Sequence, residues 1–157
     1  MNIQSVKRMH DGNDIPVLGL GTYLMRQGKE TRDSVLNALE NGYRHIDTAS
    51  IYGNEMAVGE AVNQSGIPRE EIFVTTKVWN DDQGYDKTMK SFEESLKRLN
   101  MDYVDLYLIH WPVENKRLDT WRAMEQIHKD GLAKSIGISN FMIPHMKELF
   151  NNSNIKP

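Results

Sequence analysis

Cysteine is absent from this 157-residue chain. That excludes disulfides, thiolate nucleophiles and any Cys-based zinc site together. No apolar stretch approaches the roughly 18 residues of a membrane span, and the opening MNIQSVKRMHDGNDIP has no long apolar region of the signal-peptide kind. A cytoplasmic protein with no membrane partner is expected. Charge of one sign is also missing: Lys and Arg number 19, Asp and Glu 22, giving a net charge of −3 without a basic run. Nucleic acid is therefore not an expected partner. His10, His45, His128 and His145 lack metal-ligand spacing, so no metal is expected either. What is present is 39% hydrophobic and 26% charged, the composition of a soluble globular chain. Residues 1–157 read as one domain.

Short apolar runs alternate with helical patterns along the whole chain. MHDGNDIP, with Asp-Gly between extended segments, suggests a β-hairpin, so residues 1–16 form a cap. Strands are expected at Val17–Thr22, Arg44–Thr48, Ile72–Trp79, Val104–His110 and in AKSIGIS. Helices are expected between them: from Thr31 to Asn41, from an Asn54 cap to Gly66, along the Met89, Phe92, Leu96, Leu99 stripe, and from an Asp119 or Thr120 cap through Trp121, Met124 and Ile127. A last helix begins near Pro144, which a first helical turn tolerates. This is βα repeated five times, the pattern of a parallel sheet covered by helices.

Two architectures share that pattern. A doubly wound dinucleotide-binding sheet needs G-x-G-x-x-G after its first strand, but Gly19-Leu-Gly21 is followed by Thr22, Tyr23 and Leu24, so the third glycine is missing. A (β/α)8 barrel fits better. Thr22, Asp47, Lys77, His110 and Ser139 end the five strands at steps of 25, 30, 33 and 29 residues. Eight such steps give about 250 residues, the usual size of that barrel.

In such barrels the reacting groups come from the C-terminal ends of several strands. VDLYLIHWP ends on His110, YRHIDTA on Asp47 and IFVTTKVW near Lys77, while Tyr52 lies five residues beyond Asp47. Together they suit proton delivery to a carbonyl oxygen. A phenol is a poor acid at neutral pH, but an ammonium such as Lys77 favours the phenolate and lowers that barrier. Asp47 would keep Lys77 charged, and His110 would orient the carbonyl. Taken singly, Asp47 also fits a turn cap, Lys77 a snorkelling side chain, and His110 and Tyr52 ordinary packing. Asp105, inside an apolar strand, has no functional account, and pairing with a basic residue of the helix layer is what is expected of it.

HIDTASIYGNE, FVTTKVW, DLYLIHWP and IGISN, in that order and spacing and led by IPVLGLGT, closely resemble motifs of the aldo-keto reductases. The resemblance covers essentially the whole chain. It implies a (β/α)8 barrel that binds NADPH, less often NADH, without a Rossmann fold, and that reduces an aldehyde or ketone by hydride transfer. Position by position, it implies that Tyr52 is the general acid, tuned by Lys77 and Asp47, with His110 placing the carbonyl. Ser139 and Asn140 resemble the pair that holds the nicotinamide carboxamide, with Thr22 and Asp47 beside the cofactor. Tyr23, Trp79 and Trp111 resemble the aromatic wall of the substrate pocket. The family's sixth-strand glutamine, seventh-strand aromatic and 2′-phosphate clamp would lie beyond Pro157.

The expected fold is thus an incomplete TIM-type (β/α)8 barrel, with five of eight βα units behind an N-terminal β-hairpin. Two other readings stand beside the reductase: a split barrel that needs self-association or a complementing C-terminal half, and a cofactor-binding regulatory subunit, against which the intact tetrad argues. An open barrel would leave Leu106, Leu108, Val74 and Leu20 without an opposing wall.

Overall fold

The computed structural model describes residues 2–157. Strands β1 (Val6–Arg8) and β2 (Asp14–Pro16) pair antiparallel, with Val6 opposite Pro16. Gly12 makes the turn at φ 93°, a left-handed conformation that only glycine adopts freely. Asn13 Nδ2 donates to Lys134 O at 3.1 Å and Ser135 Oγ at 2.9 Å, pinning the hairpin to the main sheet.

That sheet is parallel and in sequence order: β3 (Leu20–Gly21), β4 (His45–Asp47), β5 (Phe73–Val78), β6 (Val104–Ile109) and β7 (Ala133–Ile138). Each strand is followed by a helix: α1 (Lys29–Glu40), α2 (Glu55–Gln64), α3 (Tyr85–Leu99), α4 (Arg117–Lys129) and α5 (Ile143–Asn152). Five βα units behind a hairpin make a partial TIM-type barrel, as the strand spacing implies. Among the described residues no helix is long and apolar enough to cross a membrane.

Alternation along the strands separates two faces. Ile46, Val74, Val78, Tyr107, Ile109 and Ile136 point at the helices and are buried against Val35, Leu39, Val58, Phe92, Trp121 and Met124. Asp47, Thr75, Lys77, Leu106 and Leu108 share the other, inward face, as the register Asp47↔Thr75 and Lys77↔Leu108 requires. Leu106 and Leu108 are only half-buried there. Val74 and Leu20 do not join them: both pair with Ile46 on the helix-facing side, and Val74 is fully buried.

Several details depart from the sequence reading. The first strand shrinks to Leu20–Gly21, because Val17 N bonds Ser5 O in the hairpin and Gly19 is pressed against the His45 ring. Helix α4 begins at Arg117, ahead of Asp119 and Thr120; the Thr120 hydroxyl donates back to Lys116 O and accepts from Gly84 N. Asn54 precedes α2 but makes no side-chain cap bond. Asp105 does find basic partners, though neither lies on a helix of the outer layer. Arg69 Nη2, in the short 3-10 turn Arg69–Glu71, lies 2.8 Å away, and Lys134 Nζ on β7 lies 3.1 Å away.

Candidate active site

Asp47 ends β4 and Lys77 is the fifth residue of β5, so adjacent parallel strands bring the two side chains together on the inward face. Lys77 Nζ lies 2.5 Å from Asp47 Oδ1 and donates to Thr48 O at 2.9 Å. Its side chain is 7% exposed against 33% for Asp47, so the lysine carries the greater desolvation cost and two acceptors offset it.

Tyr52 closes the 3-10 turn Ser50–Tyr52 after β4, which folds it back over the sheet end. Lys77 Nζ sits 5.2 Å from its ring centroid. Ser50 Oγ donates to Lys77 O at 3.0 Å and fastens that turn to β5. His110 follows β6, its ring edge-on to Tyr52 at 5.7 Å and to Trp79 at 5.1 Å. The four side chains expected to converge do converge.

Their protonation follows from burial and charge. Burial, with the negative charge of Asp47 and the neighbouring Tyr23, pushes the Tyr52 phenol above 10. The expected lowering by Lys77 is not seen. The ammonium is already matched by Asp47, whose own charge opposes the phenolate. Burial, reinforced by Lys77 and opposed by Asp47, pulls His110 below 6.5, so its ring is neutral at pH 7. His110 Nδ1 is buried without a hydrogen-bond partner among the described residues. Unsatisfied groups of that kind are rare in native cores and call for an explanation such as a catalytic role.

Above the tetrad lies a cavity of about 570 Å³ lined by Tyr23, Leu24, Ile51, Tyr52, Trp79, His110 and Trp111. All three expected aromatic wall residues are in it. Leu24 and Ile51 were not anticipated, since an exposed aliphatic in a loop carries no sequence signal of its own. Gln83 was also missed: its buried amide donates to Trp111 O at 2.7 Å and fixes that loop.

Two of the remaining cofactor candidates reach the same rim. Ser139 and Asn140 follow β7; Asn140 Nδ2 donates to His110 O at 2.9 Å and to Ser139 Oγ at 3.0 Å. The Ser139 hydroxyl proton and Asn140 Oδ1 have no partner among the described residues, leaving one donor and one acceptor open. Thr22, the third, is completely buried at the end of β3, its hydroxyl 3.2 Å from Asn54 Oδ1 and 3.3 Å from Asp47 O. No cluster of three metal-ligating side chains occurs among the described residues.

Comparison with known proteins identifies the family of the chain. The sequence model of the aldo/keto reductase family matches residues 17–157. The glyoxal reductase of Bacillus subtilis is 50% identical over 156 residues, which are 99% of this chain and 56% of the relative. The crystal structure of an aldo/keto reductase from Brucella melitensis, 50% identical, superposes with a TM-score of 0.95 over 98% of this chain and 60% of its own. A Bombyx mori aldo-keto reductase solved with NADP, 41% identical, gives 0.89 over 98% and 56%. This chain spans little more than half the length of these proteins. Matched across nearly all of its residues, it belongs to the aldo/keto reductase family.

Proposed function

We infer that the whole protein carrying these residues reduces an aldehyde or ketone to an alcohol, with NADPH as the preferred cofactor and Tyr52 as the proton donor. One observation carries the reading: Tyr52 and His110 face a single aromatic-walled cavity, with the Lys77–Asp47 pair directly beneath the phenol. When bound, the nicotinamide supplies the hydride that goes to the carbonyl carbon.

The chain's own residues handle the oxygen. His110, neutral at pH 7, offers an N–H to the carbonyl and sets its direction. The raised pKa of Tyr52 holds its proton in place until negative charge develops on the substrate oxygen, which then takes it. The phenolate left behind lies beside the Lys77 ammonium, whose attraction is stronger for the transition state than for the neutral phenol. Ser139 and Asn140 would hold the nicotinamide carboxamide, a group common to NADPH and NADH. Discrimination between the two cofactors therefore rests on parts of the protein other than these residues. Glyoxal and methylglyoxal are the first substrates to assay, because the cavity is of modest size and a half-identical relative is a glyoxal reductase.

The test is Tyr52→Phe in the whole protein. Turnover should fall by about 100-fold or more, the range that a positioned general acid contributes, with NADPH affinity unchanged. A variant that keeps more than about a tenth of wild-type kcat removes Tyr52 from this role.

A further inference from the structure

We propose that Asn54 is the positioning residue of this site, its buried carboxamide locking the ends of β3 and β4 into the geometry that Lys77 and Tyr52 require. The inference rests on the reductase reading and gives a role to a residue outside the tetrad. Asn54 is completely buried and stands immediately before α2 without capping it. Its Oδ1 accepts from Thr48 Oγ1 at 2.9 Å and Thr22 Oγ1 at 3.2 Å. Its Nδ2 donates to Thr22 O at 2.8 Å and Met25 O at 3.0 Å. A carboxamide has two lone pairs on oxygen and two N–H donors, so its capacity is filled. Nothing is left over for the helix.

Each partner touches a reacting group at one remove. Thr48, whose hydroxyl Asn54 holds, presents its carbonyl to Lys77 Nζ at 2.9 Å. Thr22 N donates to Asp47 O at 2.9 Å, tying the end of β3 to the residue that pairs with Lys77. Between the two carbonyls gripped by Nδ2 lie Tyr23 and Leu24. Tyr23 packs its ring 5.1 Å from Tyr52, and Leu24 adopts φ 66°, a conformation that is unfavourable for leucine and needs outside support. One side chain thus fixes both the acceptor under the ammonium and the ring against the phenol.

Asn54→Ala removes four hydrogen bonds and leaves the Thr48 hydroxyl and the Met25 carbonyl unpartnered, while Thr22 O keeps Met25 N at 3.1 Å and the Thr22 hydroxyl keeps Asp47 O at 3.3 Å. In the whole protein kcat should fall about 10- to 100-fold, the scale of a small misplacement at the reacting groups. The affinity for NADPH should move by less than about threefold, because Asn54 touches no ligand, and KM for the carbonyl should rise only modestly, as Tyr23 shifts in the cavity wall. A second readout does not need turnover. With 13C-tyrosine labelling, and Tyr52 assigned against the Tyr52→Phe spectrum, the phenol titration should move back toward 10 as the loosened loop uncovers the phenol and carries Tyr23 away from it. A residue that serves stability alone would lower Tm yet leave kcat per folded molecule and the Tyr52 titration unchanged; that result overturns the proposal. Thr48→Val deletes one of the four bonds in a similar shape. It should reduce kcat by less, in the same direction, and it keeps the question answerable if Asn54→Ala does not fold: wild-type kcat together with a wild-type titration in Thr48→Val rejects the assignment. If the wild-type protein reduces no carbonyl, the reductase reading falls, and the Tyr52 titration alone decides the role of Asn54.

Discussion

His45 shows how the tetrad's electrostatics reach into stability. Two residues before Asp47 on β4, its ring stands edge-on to Phe73 at 5.1 Å, with Nε2 3.0 Å from Thr75 Oγ1. Burial lowers its pKa below 6.5, with Lys77 acting in the same sense and Asp47, the Pro16 backbone and Asp105 against it. His110 is lowered too. The unfolded chain therefore binds more protons than the native one just below pH 6.5. The contribution is complete above that value and is lost as pH falls through the folded-state pKa values. The urea midpoint should drop between about pH 7.5 and 5.5, and His45→Gln, which keeps a partner for Thr75 but cannot titrate, should flatten the drop. An unchanged slope would assign the effect to other groups. At this scale the tetrad was legible because Asp47, Lys77 and His110 are polar interruptions at the ends of apolar runs. Asn54 was misread because asparagine before a helical pattern looks like a cap, whereas its partner Thr22 lies 32 residues away. Local spacing carries no record of such a contact.

Gly59 sets the distance between α2 and α3. It lies inside α2 and is buried, and a Cβ built there would stand 2.0 Å from Leu99 O, a backbone atom that cannot turn aside. On propensity alone, glycine to alanine within a helix gains about 1 kcal/mol. Here overpacking wins: forcing the helices apart costs about 1–3 kcal/mol or more. Gly59→Ala should lower the denaturant midpoint, and a stabilised variant would mean the two helices can separate freely. The movement would also strain the buried Glu55 carboxylate, which accepts from Thr76 Oγ1 at 2.6 Å and Arg98 Nε at 2.7 Å. Element identity was readable throughout, since the three- and four-residue steps of Met89, Phe92, Leu96 and Leu99 have no strand equivalent. What periodicity could not supply was long-range closure. The length of β3 depends on the hairpin and on His45, and the start of α4 on a bond between Thr120 and the loop before α3.

At the scale of the molecule, the sheet has two unpaired edges, because β3 and β7 each have one neighbour among the described strands. Backbone donors and acceptors on such edges recruit further strands, from the same chain or another. The inward face adds half-buried Leu106 and Leu108, and the start of α5 adds Ile143 and, just before it, Met142, at 69% and 68% exposure. Together with open sheet edges, exposed apolar side chains favour association. In the relatives, whose chains run well beyond the matched segment, there is sequence enough to close the barrel. Taken by itself, then, the 157-residue unit should self-associate or pair with a chain that supplies the rest of the barrel, and its NADPH-dependent turnover should be far below that of a whole protein. Sedimentation and near-ultraviolet circular dichroism would read its state, and NADPH oxidation with a small aldehyde its activity. Co-expression with the remaining βα units of a close relative should restore both compactness and turnover. A monomer that unfolds cooperatively and turns over fully without them would show that five units bury enough surface to stand alone, and the open-edge argument would fail.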